Sequence, residues 1–251
     1  IGVVPGTGSL IVPNNPELAP VPAGTWRFRS LTHREPREKT VFFSVLGKKP
    51  TSARRIEAKV WVSPETHWGH DPLALSETLE SAKGILREAG LVLEIHEKSF
   101  LETESEKPLN PPADMTAIAL RRNDPDRLNI YLMGEMEFQK GAVNGLACLA
   151  GPVGLSRPHG CFVSVYAKPS AGEVVSTREQ GQILAHEIAH YLGIFHTKDA
   201  GYILIGDVLD PFSDTPDEVT GRNMMDPGAR SLEAAFSPLQ KKMMGLSPIL
   251  K

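Results

Sequence analysis

From about Ala53 onward the chain alternates between two hydrophobic periods. Ile56, Ala58, Val60 and Val62 alternate with polar or outward positions, the two-residue period of a strand. Leu75, Leu79, Ala82, Leu86 and Ala89 then recur at three- and four-residue spacing, which predicts an amphipathic helix that Gly90 can end. Leu91 to Glu97 reads as a second strand, the acidic and proline-rich stretch Glu102 to Pro112 as a loop, and Met115 to Arg122 as a short helix. Leu128 to Met133, Gly145 to Ala150 and Gly160 to Ala167 are three more predicted strands. A second long helix is predicted from Thr177 to Leu192, started by a capping box of Ser176 with Glu179 or of Thr177 with Gln180. A long irregular stretch rich in Asp, Gly and Pro follows. The last helix starts at Pro238, with Ser237 as its cap and Gln240 three residues on.

The opening of the chain has a different pattern. Pro5, Pro13, Pro16, Pro20 and Pro22 punctuate it, so it reads as an extended arm. Two short runs of strand composition, Thr25 to Leu31 and Thr40 to Leu46, flank a charged turn around Glu35 to Glu38. Arm and hairpin bury too little to fold alone and are expected to pack on the larger domain C-terminal to them. The domain reading is therefore an N-terminal arm and β appendage over residues 1–52 and an α+β domain over residues 53–251.

Composition narrows the function classes. With 41% hydrophobic and 23% charged residues the chain has the make-up of a soluble globular protein. A net charge of -3 argues against a nucleic-acid partner, and the basic clusters at Arg34 to Lys39 and Lys48 to Arg55 read as solvated loop or strand edges. No run approaches the ~20 apolar residues that a membrane span needs. Starting at Ile1, the chain reads as a processed or trimmed form, which suits a secreted, envelope or periplasmic location. Cys148 and Cys161 sit in neighbouring predicted strands. They fit either a disulfide across a hairpin in an oxidising compartment or two buried free thiols.

The chemistry is concentrated in His186 to His196, which reads HEIAHYLGIFH. Residues four apart share one helix face, so His186 and His190 can direct two imidazoles at one ion. Glu187 can reach a water on that ion without being a ligand. Gly193 can take a left-handed conformation, stop the helix and let the chain turn so that His196 supplies a third imidazole. Three neutral imidazoles with a fourth position left to water describe a catalytic zinc site, whereas structural zinc sites are closed by four protein ligands. Glu187 then takes the role of general base and acid in hydrolysis.

That pattern, His-Glu-x-x-His-x-x-Gly-x-x-His, resembles the metzincin metallopeptidases, and within them the pappalysin family and related bacterial secreted proteases. Thr197 after the third histidine, Gly206-Asp207, Asp214-Thr215-Pro216, Asn223-Met224-Met225-Asp226 and Phe236 to Gln240 carry the likeness further. The resemblance implies a twisted mixed five-stranded sheet with a backing helix and an active-site helix. An irregular lower subdomain with a Met-turn and a C-terminal helix would complete it, with Met225 as the supporting methionine. It also implies zinc, a protein or peptide substrate, and an edge strand at Gly145, Leu146 and Ala147 on which substrate adds in extended form. An ordinary paired strand is the other reading of that segment. Pro227 stands where several metzincin groups place a Tyr that helps to hold the reaction intermediate, so this chain does without it or another group substitutes.

Several further groups invite a role. Asp199, Asp207, Asp210, Asp214 and Asp217 crowd the loop after the zinc motif and read either as a calcium site or as ordinary turn residues. His67 and His70 lack a third metal ligand nearby in sequence. No Cys or Asp precedes Asp71, so residues 1–52 do not read as a prosegment that caps zinc through such a residue. Glu218 as third ligand in place of His196 fits poorly with Gly193 and His196 at their offsets. The expectation is a zinc endopeptidase. The alternative is a weakly active or inactive zinc-binding protein of this fold acting as a binding or adhesion module, against which the presence of Glu187 counts.

Overall fold

The computed structural model describes residues 2–4, 7–9, 54–101, 113–134, 136–138, 141–142, 145–147, 161–164, 166–168, 173–198, 210–215, 220–227, 231–247 and 250–251. At the start, β1 (Gly2–Val4) and β2 (Thr7–Ser9) pair antiparallel with Val4 opposite Thr7. The rest of the predicted arm lies outside the described residues. The predicted strands at Thr25 to Leu31 and Thr40 to Leu46 lie outside the described residues.

Next come β3 (Arg55–Val62), a single helical turn α1 (His67–His70), α2 (Pro72–Glu88) and β4 (Val92–Phe100). These lead to α3 (Ala113–Arg121), β5 (Leu128–Met133) and the short strands β6 (Glu137–Phe138), β7 (Gly141–Ala142) and β8 (Gly145–Ala147). The chain continues through β9 (Cys161–Ser164), β10 (Tyr166–Lys168), β11 (Glu173–Val174), α4 (Thr177–Tyr191) and α5 (Pro238–Met244).

One sheet takes the order β4-β3-β5-β9-β8, and the fold is α+β. β4, β3, β5 and β9 run parallel, while β8 lies antiparallel to β9 at one end. Two predicted strands differ from the structure. β4 continues to Phe100, three residues past its apolar pattern, because its ladder with β3 runs on to the pair Val62 and Phe100. The single strand predicted over Gly160 to Ala167 is two strands with different partners, since β10 leaves the sheet to pair with β11. Residues 148–150 of the predicted Gly145 to Ala150 strand lie outside the described residues, Cys148 among them. In the β8–β9 register Cys161 stands opposite Ala147.

Both faces of the sheet are covered. On one, Ile56, Ala58, Val60, Val62, Leu128, Ile130 and Leu132 pack with the apolar side of α2 and with α4. On the other, Trp61, Tyr131 and Met133 join Ile118 and Ala119 of α3. β5 is buried at every position, and each large aliphatic side chain there contributes roughly 1.5–3 kcal/mol. Asn129 is its polar exception, accepting from Trp61 Nε1 at 3.0 Å and donating to the carbonyls of Asp124 and Arg127.

α2 starts where Asp71 accepts from the amides of Leu73 and Ala74, with Pro72 at the first helical position. A buried polar chain ties α2 to α4. Trp68 Nε1 donates to Thr78 Oγ1 (3.1 Å), Thr78 donates to Gln180 Oε1 (2.9 Å), and Gln180 Nε2 donates to the Val175 carbonyl (2.7 Å). The end of the chain is stitched to the sheet, because Arg55 and Lys251 exchange both backbone bonds at 3.1 and 3.0 Å. Among the described residues no helix is long and apolar enough to cross a membrane.

Candidate metal centre

α4 carries the first two histidines, and local chemistry sets where it begins and ends. Ser176 accepts from the Glu179 amide while the Glu179 carboxylate accepts from the Ser176 amide, so the capping box is the first of the two predicted. Leu192 ends the helix. Gly193 follows at φ 102°, donating to the His190 carbonyl, and Ile194 donates to the Ala189 carbonyl. These two bonds make a Schellman motif, and the left-handed residue at its centre suits glycine because it lacks a Cβ. The reversal returns the chain toward the helix, so that six residues after His190 the third imidazole meets the first two.

The three rings converge through their Nε2 atoms. His196 Nε2 lies 3.1 Å from His186 Nε2 and 3.0 Å from His190 Nε2. On the far side of each helical ring, Nδ1 of His186 donates to the Met224 carbonyl and Nδ1 of His190 to the Ile194 carbonyl, both at 2.7 Å. Carbonyl oxygens only accept, so these contacts place a proton on each Nδ1 and leave each Nε2 with a lone pair. Such outer partners orient the imidazoles and fix their tautomer, as metal-ligating histidines require. Four-coordinate zinc with Zn–N near 2.0–2.1 Å sets neighbouring nitrogens about 3.3 Å apart. The observed spacing and the donor set fit that ion. Zinc would be held by His186, His190 and His196.

Glu187 follows His186 on α4 and is 5% exposed. Its carboxylate lies beside Gly145 at the start of β8, the strand at the end of the sheet. Among the described residues β8 pairs with β9 alone.

The floor is built from polar side chains gripping backbone. A turn spans Asn223 to Asp226, closed by the Asp226 amide donating to the Asn223 carbonyl, with Met224 and Met225 both fully buried. This turn supplies the Met224 carbonyl to His186 and the Met225 carbonyl to the amide of Thr197. Asp226, itself fully buried, accepts from Thr197 Oγ1 at 2.5 Å and from the amides of Gly221 (2.8 Å) and Thr220 (3.1 Å). In the sequence Thr197 and Asp226 carry only the resemblance, and nothing there shows that they bind each other. A Thr beside a metal ligand, with an Asp in a later turn, is the only signal available.

Of the five aspartates that follow His196 in sequence, Asp199, Asp207 and Asp217 lie outside the described residues. Asp210 accepts from Thr215 Oγ1, the Phe212 amide and Gln240 Nε2, and burial pushes its carboxyl above the usual range. Asp214 accepts from Ser237 Oγ and the Leu239 amide. Both described aspartates thus fasten the lower loop to the start of α5, and calcium gains no support from them. Glu218 also lies outside the described residues. His67 and His70 lie on α1 and form no metal-ligating cluster among the described residues. Pro227 directly follows Asp226 and is partly buried.

No family model matches the chain, and no curated protein matches it. Solved structures do. Mature mirolysin of Tannerella forsythia, in complex with a cleaved peptide, is similar over 78% of this chain and 91% of its own at 14% identity and a TM-score of 0.58. Mirolysin in complex with a small-molecule compound is similar over the same shares at 12% identity and a TM-score of 0.54. An archaemetzincin from Methanopyrus kandleri aligns over 78% of this chain and 97% of its own at 15% identity and a TM-score of 0.46. Mirolysin is a metzincin, and the fold of this chain is metzincin-like.

Proposed function

We propose that the chain is a zinc-dependent endopeptidase whose catalytic domain spans residues 53–251. The observation that carries this reading is the convergence of three Nε2 atoms, that of His196 lying 3.0–3.1 Å from those of His186 and His190, whose rings are oriented by carbonyls and stand on the helix that also presents Glu187. When bound there, zinc supplies Lewis-acid polarisation of a scissile carbonyl and acidifies a water to a pKa of about 7.

The protein's own groups do the rest. The Glu187 carboxylate accepts a proton from the attacking water and returns it to the departing amine, a role that typically accounts for 10²- to 10⁴-fold in rate. β8 offers an edge of backbone donors and acceptors to which an extended peptide adds as a further antiparallel strand. Mirolysin, a protein of similar fold, was solved with a cleaved peptide, which favours a peptide as this chain's substrate too. We read the Asn223 to Asp226 turn as the Met-turn and the motifs after residue 176 as pappalysin-like. An exported enzyme suits this reading.

The test is cleavage of a complex peptide mixture by the protein and by Glu187→Ala, each with zinc and with a chelator, read by mass spectrometry. Cuts are expected only from the zinc-loaded parent, with the variant reduced at least 10²-fold. Stoichiometric zinc binding by a parent that makes no cuts would sink the peptidase reading in favour of a zinc-binding module.

A further inference from the structure

We propose that Gly145 is a positioning residue for Glu187, keeping the edge strand bare where the carboxylate lies against it. A Cβ built on Gly145 would stand 2.5 Å from Oε1, 2.8 Å from Cγ and 2.9 Å from Cδ of Glu187. Non-bonded carbon atoms rest about 3.5–4.0 Å apart, so even one methyl group and this carboxylate cannot share the space. All three nearest atoms belong to the outer part of that single side chain, and none is backbone.

Strand geometry gives no other reason for the residue. Gly145 sits in regular register opposite Val163, and its backbone is not left-handed. Glycine inside a strand weakens it and often marks a close approach by another group. Here that group is Glu187. At 5% exposure the carboxylate has little free solvent to swing into, so a methyl on β8 moves it within the site. The strand that would receive substrate and the group that would move the proton are therefore set against each other by direct contact. The inference rests on Glu187 being the proton carrier.

Two measurements on the full chain test it. With quenched-fluorescent peptides and zinc, Gly145→Ala is expected to bind zinc as the parent does while kcat falls about 10²-fold, because a displacement near 1 Å costs that much, and KM stays within about threefold. The second uses neither metal nor activity. Thermal unfolding of the metal-free parent, Gly145→Ala, Glu187→Ala and the double variant forms a cycle. In the Glu187→Ala background the clash is gone and alanine restricts the unfolded chain, so Tm should rise by about 1–3 °C. With Glu187 present the same change should leave Tm unaltered or lower it.

Equal Tm changes in both backgrounds would overturn the contact. A coupled cycle with unchanged kcat would overturn the positioning role. A parent that cuts no peptide removes the peptidase reading, and the unfolding cycle then decides whether Gly145 holds the carboxylate in place.

Discussion

The part of the molecule made by β3, β5 and α2 and the part made by the described residues between 194 and 240 are held together by different forces. In the first, side chains such as Ile56, Val60, Ile130, Leu132, Leu79 and Leu86 are almost wholly buried, and the backbone bonds run within regular ladders and a helix. Among the described residues of the second no helix or strand precedes α5, and buried carboxylates and amides do the work of the ladder. Asp226 gathers Thr197, Thr220 and Gly221, while Gln240 bridges Asp210 and Asn223. Apolar contact tolerates small slips in angle, whereas a hydrogen bond between fixed groups does not. A site that must hold three imidazoles to tenths of an ångström gains from the second kind of construction.

The strongest way to break this contrast is to weaken the apolar part alone. Leu132→Ala removes a fully buried side chain and should cost about 2–5 kcal/mol in chemical denaturation. Zinc affinity measured under conditions where the variant is folded should stay within about threefold of the parent. A large loss of affinity would mean that the two parts do not divide the labour.

The complementary change is Asp226→Ala. It strands buried donors that hold Thr197 and the turn under His186, so zinc affinity should drop about 10- to 100-fold, as outer-partner losses do. Stability should fall by about 1–3 kcal/mol. Competition with a chromophoric chelator reads the first and urea unfolding the second. Loss of stability without loss of affinity would reduce Asp226 to a loop tie.

The smallest effect concerns a buried polar atom on α1, which packs against α2. Among the described residues His67 Nδ1 is buried without a hydrogen-bond partner, and burial holds the ring's pKa below its usual value near 6.5. The unfolded chain then takes up this proton at higher pH than the folded one does. Its contribution is present at neutral pH and is lost as pH falls from about 6.5 toward the lowered folded value. His67→Gln should flatten the acid side of a Tm-against-pH profile slightly, and an unchanged slope would remove His67 as a cause.

The contrast also explains what could be read from sequence. β3 and α2 are legible because one-sided burial writes a period of two or of about 3.6 into the chain, whereas β5, buried at every position, shows only as a short apolar run and α4 by its capping residues. Ser176 with Glu179 and Ser237 with Gln240 were legible because capping acts over three residues. The histidines and Gly193 were legible because helix geometry ties their spacing to one point in space. The floor was not, since Thr197 with Asp226, and Asp214 with Ser237, join residues 29 and 23 positions apart through side chains that leave no periodic trace. Nor was α1, a single turn too short to show a repeat. The departure of β10 from the sheet was equally hidden, because a strand pattern does not name its partner.

α4 is buried along nearly all of its circumference from Gln180 to Tyr191. An amphipathic helix finds its angle by turning its apolar stripe inward, but a helix wrapped on every side has no stripe to obey. The chain from Trp68 through Thr78 and Gln180 to Val175 answers that degeneracy. Because its donors and acceptors match in only one arrangement, it works as a key in a slot, setting the roll of α4 about its own axis and so the direction in which His186, Glu187 and His190 face.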